Sequence, residues 1–137
     1  MEVMPLNYVA VLVCAVVMFM LGGLWYSPAL FAKKWMELIG KSKEELKNAS
    51  NATMYVRAFI LGLMSCYVLA SIINFAGATT VETGAMVGFV CWAGFNGAPT
   101  YNNEVNFMKR PIALWGINSG YVLVSYLVCG AILALWR

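Results

Sequence analysis

The stretch Leu6–Tyr26, LNYVAVLVCAVVMFMLGGLWY, carries no charged residue and closes on Trp25 and Tyr26. Wound as an α-helix, about 20 residues rise about 30 Å, the thickness of a bilayer's hydrocarbon core. Trp and Tyr favour the headgroup boundary at the end of such a helix. The run therefore predicts a membrane span anchored by Trp25 and Tyr26. Three further runs, from about 55 to 76, 84 to 101 and 112 to 136, are apolar enough to predict three more spans. Arg57 lies near enough to the start of the second to reach the headgroups. The expected fold is all-α: a four-transmembrane-helix bundle forming a single membrane domain over residues 1–137, with its one sizeable polar loop at 27–54.

Composition points the same way. Of the 137 residues, 62% are hydrophobic and 11% charged, and the mean hydropathy is +0.76, far from the balance of a water-soluble domain. The chain has neither His nor Asp, which excludes Ser-His-Asp hydrolysis and His-ligated metals. Cys14, Cys66, Cys91 and Cys129 each fall in one apolar run at a similar depth. Four such thiolates raise the idea of a soft-metal site. No CxxC pair is present and a thiolate in hydrocarbon is costly, so no metal and no cofactor is expected. The net charge of +3 is modest, and lysines beside spans fit lipid headgroups better than nucleic acid. Glu2 is the only charge before the first run, so no secretory n-region is read there and that run is expected to stay as a span.

The polar loop has its own pattern. Ser27 followed by Pro28 reads as the cap and first position of a new helix. In it Phe31, Trp35 and Leu38 recur at helical spacing against Lys33, Lys34, Glu37 and Lys41, which predicts an interfacial amphipathic helix ending near Gly40, with Phe31 and Trp35 as anchors. Ser42 and Glu45 form a capping-box pair ahead of a short helical turn, and Thr79 and Glu82 repeat that spacing before the third span. Asn48 and Asn51 both begin glycosylation acceptor patterns but are read as polar turn residues.

Lysine and arginine set the orientation. The first connection holds six (Lys33, Lys34, Lys41, Lys43, Lys47, Arg57), the third holds Lys109 and Arg110, and the second holds none. By the positive-inside rule both termini face away from the cytoplasm. Tyr67–Ser71 (YVLAS) and Tyr121–Ser125 (YVLVS) share four of five residues in spans of the same direction. The matches suggest two tandem hairpins related by duplication, although apolar helices also match by chance.

Function concentrates in the run Phe95–Asn106, FNGAPTYNNEVN. Asn96, Thr100 and Asn103 share a helical face, Pro99 interrupts the ladder, and Asn118 and Ser119 lie early in the fourth span. One reading is that Asn96, Pro99, Thr100, Asn102, Asn103, Glu104, Asn106, Asn118 and Ser119 shape a polar pocket or pathway for a small solute or ion. The other is that the amides hydrogen-bond between helices and cap a helix end. Glu104 is expected to pair with Arg57, Lys109 or Arg110. Small residues at Gly22, Gly23, Gly84, Gly88, Gly116 and Gly120 read as helix-packing surfaces.

These residues also carry a resemblance. Gly22–Pro28 (GGLWYSP) with Phe31 and Trp35, Gly94–Asn103, Asn118–Tyr121 and Gly130–Trp136 resemble a family of small bacterial four-span membrane proteins catalogued as a domain of unknown function (family 1761). The resemblance implies the fold and a place in the bacterial inner membrane, and it implies no activity or ligand. With no convincing nucleophile and base, the chain reads as non-enzymatic and homo-oligomeric with a polar pocket. The alternative is an accessory subunit of a larger membrane complex, binding through its amphipathic helix and small-residue faces.

Overall fold

The computed structural model describes residues 5–137, and Glu2 lies outside them. Every described element is helical: α1 (Tyr8–Trp25), α2 (Ala32–Ile39), α3 (Lys43–Ala49), α4 (Ala52–Ala76), α5 (Val81–Trp92), the short α6 (Ala98–Thr100) and α7 (Ile112–Leu135). Wide π turns, Ala93–Gly97 and Tyr101–Phe107, flank α6, so the chain stays helical from Val81 to Phe107. Three helices, α1, α4 and α7, are long and apolar enough to cross a membrane.

Local chemistry sets the helix ends. Asn7, Ser42 and Asn51 accept the Ala10, Glu45 and Met54 amides and cap α1, α3 and α4. Because Asn51 caps it, α4 begins at Ala52 rather than at Tyr55. Gly40 and Gly77 close α2 and α4 in the left-handed conformation, at φ 69° and 68°. Two expected starts move. Ser27 does not cap a helix: its hydroxyl donates to the Leu24 carbonyl at 2.6 Å, its own carbonyl accepts the Leu30 and Ala32 amides, and α2 begins only at Ala32. The capping box before α5 joins Thr80 to Thr83 instead of Thr79 to Glu82. A hydroxyl at the first and fourth positions satisfies two orphan donors, so the helix begins at Val81, ahead of the expected Gly84.

The end expected at Tyr101 also moves. Pro99 removes a donor but does not break the helix, because the chain around it adopts π turns, in which the Ala98 amide reaches back to the Ala93 carbonyl. The run ends in a reversal in which the Arg110 amide binds the Glu104 carbonyl at 2.9 Å and Lys109 sits at φ 55°.

The helices pack as α1 against α4 and α5 against α7, with α7 also touching α1 and α4. At the end away from α2 and α3, Ala10, Cys14, Cys66, Leu69, Ile73, Cys129 and Leu133 belong to one buried cluster. There the Arg137 guanidinium donates to the Ala78 carbonyl at 2.8 Å, next to the negative end of α4's dipole. At the end nearer α2 and α3 the contacts are polar and aromatic.

Candidate functional site

The first half of α7 is held from both sides. From α1, the Trp25 indole donates to the Ile117 carbonyl at 2.8 Å and the Tyr26 hydroxyl to Asn118 Oδ1 at 2.8 Å. From α5, the Trp92 indole donates to the Ser119 carbonyl at 2.9 Å and meets the Ser119 hydroxyl at 3.1 Å. That hydroxyl donates onward to Asn96 Oδ1 at 3.0 Å. One turn earlier the Trp115 indole donates to the Thr100 hydroxyl at 2.9 Å, which in turn donates to the Asn96 carbonyl at 2.6 Å. Two residues after Ser119 the Tyr121 hydroxyl donates to the Met18 carbonyl at 2.7 Å.

The arrangement follows from what these side chains need. An indole N–H or phenol O–H buried among helices must find an acceptor, and a helix carbonyl has a spare lone pair. The rings add contacts of their own: Tyr26 stands edge-on to Trp35 of α2 and to Tyr121, with centroids 5.4 and 5.8 Å apart. Tyr101 is edge-on to Trp115 at 5.1 Å. Trp25 lies 4.8 Å from Phe31, so Phe31 and Trp35, expected from sequence as anchors at the membrane interface, both pack against the end of α1.

The sequence-predicted residues divide. Asn96, Thr100, Asn118 and Ser119 come together in this network. Asn102, Asn103, Asn106 and Pro99 are exposed outside it, and Asn106 donates to Asn102 at 2.9 Å along its own helical run. Glu104 reaches Arg110 through its backbone carbonyl, not through the ion pair expected of its carboxylate. Trp92 and Trp115 were not among the predicted residues. Their signal was available: an indole in the interior of an apolar run needs a partner.

The glycines divide as well. A Cβ on Gly84 would stand 2.3 Å from the Gly130 carbonyl oxygen, and one on Gly88 2.1 Å from that of Tyr126. There the α5 and α7 backbones touch, as small residues permit. Gly22 faces the Tyr121 ring and Gly120 faces Trp25, whereas Gly23 and Gly116 look into open space.

Every buried side-chain nitrogen or oxygen among the described residues has a hydrogen-bond partner. The cysteines are free and buried. Cys14 and Cys129 face each other, each thiol against the other's carbonyl at 3.8 and 3.6 Å. Among the described residues no group of three or more His, Cys, Asp or Glu is placed to hold a metal ion.

Residues 9–134 match the family described as "Protein of unknown function (DUF1761)", and the chain belongs to that family. No curated protein and no solved structure matches it.

Proposed function

Taking membership of that family as the premise, we propose that this is a four-span, non-enzymatic protein of the bacterial inner membrane that acts by assembly. In this reading α1, α4, the run from Val81 to Phe107 and α7 each cross the bilayer. The α2–α3 connection and the Lys109–Pro111 reversal lie in the cytoplasm and both termini lie outside. The asymmetry of Lys and Arg between the connections supports that orientation.

One observation favours assembly over a solute pathway. Of the polar residues best placed to line a pocket, Asn96, Thr100 and Ser119 bond among themselves and to Trp92 and Trp115, and Asn118 bonds to Tyr26. Meanwhile the span faces are left uncovered: only 22% of the most apolar window of α4 is buried. Such a face meets lipid or another chain, either a second copy or a larger membrane partner. Asn102, Asn103 and Asn106 stand exposed at the cytoplasmic end of this reading, where a partner's polar groups can reach them.

The test is the native mass after gentle detergent extraction from the cell of origin, with co-purifying chains identified. The expected result is a homo-oligomer or a stoichiometric complex with a larger membrane protein, disrupted when Asn102 and Asn103 are replaced by Ala. A monomer without partners, whose Asn96→Ala variant loses solute flux in liposomes while keeping its fold, returns the pathway reading.

A further inference from the structure

A groove of about 450 Å³ runs between α1 and α4, with Tyr121 of α7 at its back. Gly22, Gly23 and Tyr26 line it from α1, and Tyr55 and Gly62 from α4. Along α1 it extends from Ala15 to Tyr26, about 16 Å of helix, which is close to the hydrocarbon depth of one leaflet. Its mostly apolar lining suits a polymethylene chain.

The charge above the groove narrows the occupant further. The connection between α1 and α4 carries five lysines against Glu37, Glu44 and Glu45. With Arg57, near the start of α4, the excess equals the chain's whole net charge of +3. The connection lies at the groove's open end, because Trp35 of α2 packs on Tyr26, which is itself a groove residue. Lys33, Lys34 and Lys41 of that connection are exposed.

We infer that the groove binds one anionic glycerophospholipid, with an acyl chain along Gly22, Gly23 and Gly62 and the headgroup phosphate against the exposed lysines of the α1–α4 connection. Basic residues beside a span attract anionic headgroups, and Gly23, where an added Cβ would meet nothing within 4 Å, leaves space in the groove. The inference rests on the membrane embedding proposed above and not on the assembly role.

The experiment is native mass spectrometry of the full chain in detergent, titrated with phosphatidylglycerol or phosphatidylcholine of equal chain length. Carbonate-resistant membrane association is measured in the same cells. Phosphatidylglycerol is expected to bind roughly tenfold tighter than phosphatidylcholine. Gly23→Leu, whose added Cβ meets nothing within 4 Å, fills the groove without disturbing the fold and is expected to lower both affinities about tenfold. Replacing Lys33, Lys34 and Lys41 by Gln is expected to abolish only the preference for phosphatidylglycerol. Gly94→Leu, also in open space but away from the groove, is expected to change neither.

Equal affinity for the two lipids in the unmodified protein overturns the inference. So does unchanged binding in Gly23→Leu, or a dimer that Gly23→Leu dissolves while lipid binding persists. In each case carbonate-resistant association leaves the membrane reading standing, whereas release by carbonate removes both.

Discussion

The two helix pairs of this bundle use glycine in opposite ways. Between α5 and α7, Gly84, Gly88 and Gly130 bring backbone onto backbone, and an added methyl at any of them would fall within 2.4 Å of a carbonyl oxygen. Between α1 and α4, Gly62 has only the Met18 sulfur at 3.7 Å and Gly23 has nothing within 4 Å. The same residue type closes one interface and leaves a groove in the other. The spacing of small residues thus marks where helices can approach, and the neighbouring side chains decide whether they do. Tyr121, Phe19 and Tyr55 stand at the α1–α4 side, and bulky rings there hold the groove open.

The sharpest way to break this contrast is Gly88→Ala. Its Cβ would meet the Tyr126 carbonyl, so α5 and α7 must part, at an expected cost of about 3 kcal/mol. Reversible denaturation in mixed micelles measures it, and an unchanged midpoint would show that the close approach is absent. Trp92→Phe comes next. It removes the donor to Ser119 and shrinks the bicyclic ring to a single one, and the expected loss is about 2 kcal/mol by the same assay. Trp25→Phe removes the matching bond to Ile117 from the other side, with a similar expected loss. Comparable losses would mean that α7 is held equally by both pairs, while a loss confined to Trp92 would place the lock in the α5–α7 half alone. The smallest effect is Gly23→Ala, which relieves the chain of glycine's freedom in an open helical position and is expected to add about 0.5 kcal/mol. Destabilisation there instead would mean that something covers that face.

Much of this was legible in the residues, for physical reasons that differ along the chain. The helices α1 and α7 follow from long uncharged runs, and α4 from one charged only at Arg57 near its start, whose backbones only a helix can satisfy in hydrocarbon. The third run was harder. Thr79, Thr80, Glu82 and Thr83 offer two capping pairs one residue apart, and the spacing alone did not choose between them. Pro99 was expected to interrupt or end the helix, but π turns absorb the missing donor and carry it on to Phe107. Ser27-Pro28 signals a turn as well as a helix start, and the turn prevailed.

The site was legible in half. Asn96, Thr100, Asn118 and Ser119 stood out as amides and hydroxyls in apolar surroundings, and they do meet. Their partners Trp92 and Trp115 carry a signal of their own, an indole N–H that needs an acceptor, but only the packing of α5 on α7 decides which carbonyl or hydroxyl meets each one. Asn103 shares the helical spacing of Asn96 and Thr100 but is exposed outside the network, because the widened turns shift the face on which later residues fall. Gly116 repeats the spacing of Gly84 and Gly88 without a neighbouring helix to fill it.

The most direct test of the account is which side of the membrane each connection faces, read by labelling single cysteines at Lys43, Thr79 and Arg110 in intact cells with an impermeant thiol reagent. The native cysteines, all buried, are first replaced by Ser or Ala in a variant shown to keep its fold. Four spans predict that Thr79→Cys is labelled from outside while Lys43→Cys and Arg110→Cys are labelled only after the cells are opened. Labelling of Arg110→Cys together with Thr79→Cys from outside would mean that the run from Val81 to Phe107 does not cross, and would contradict the account.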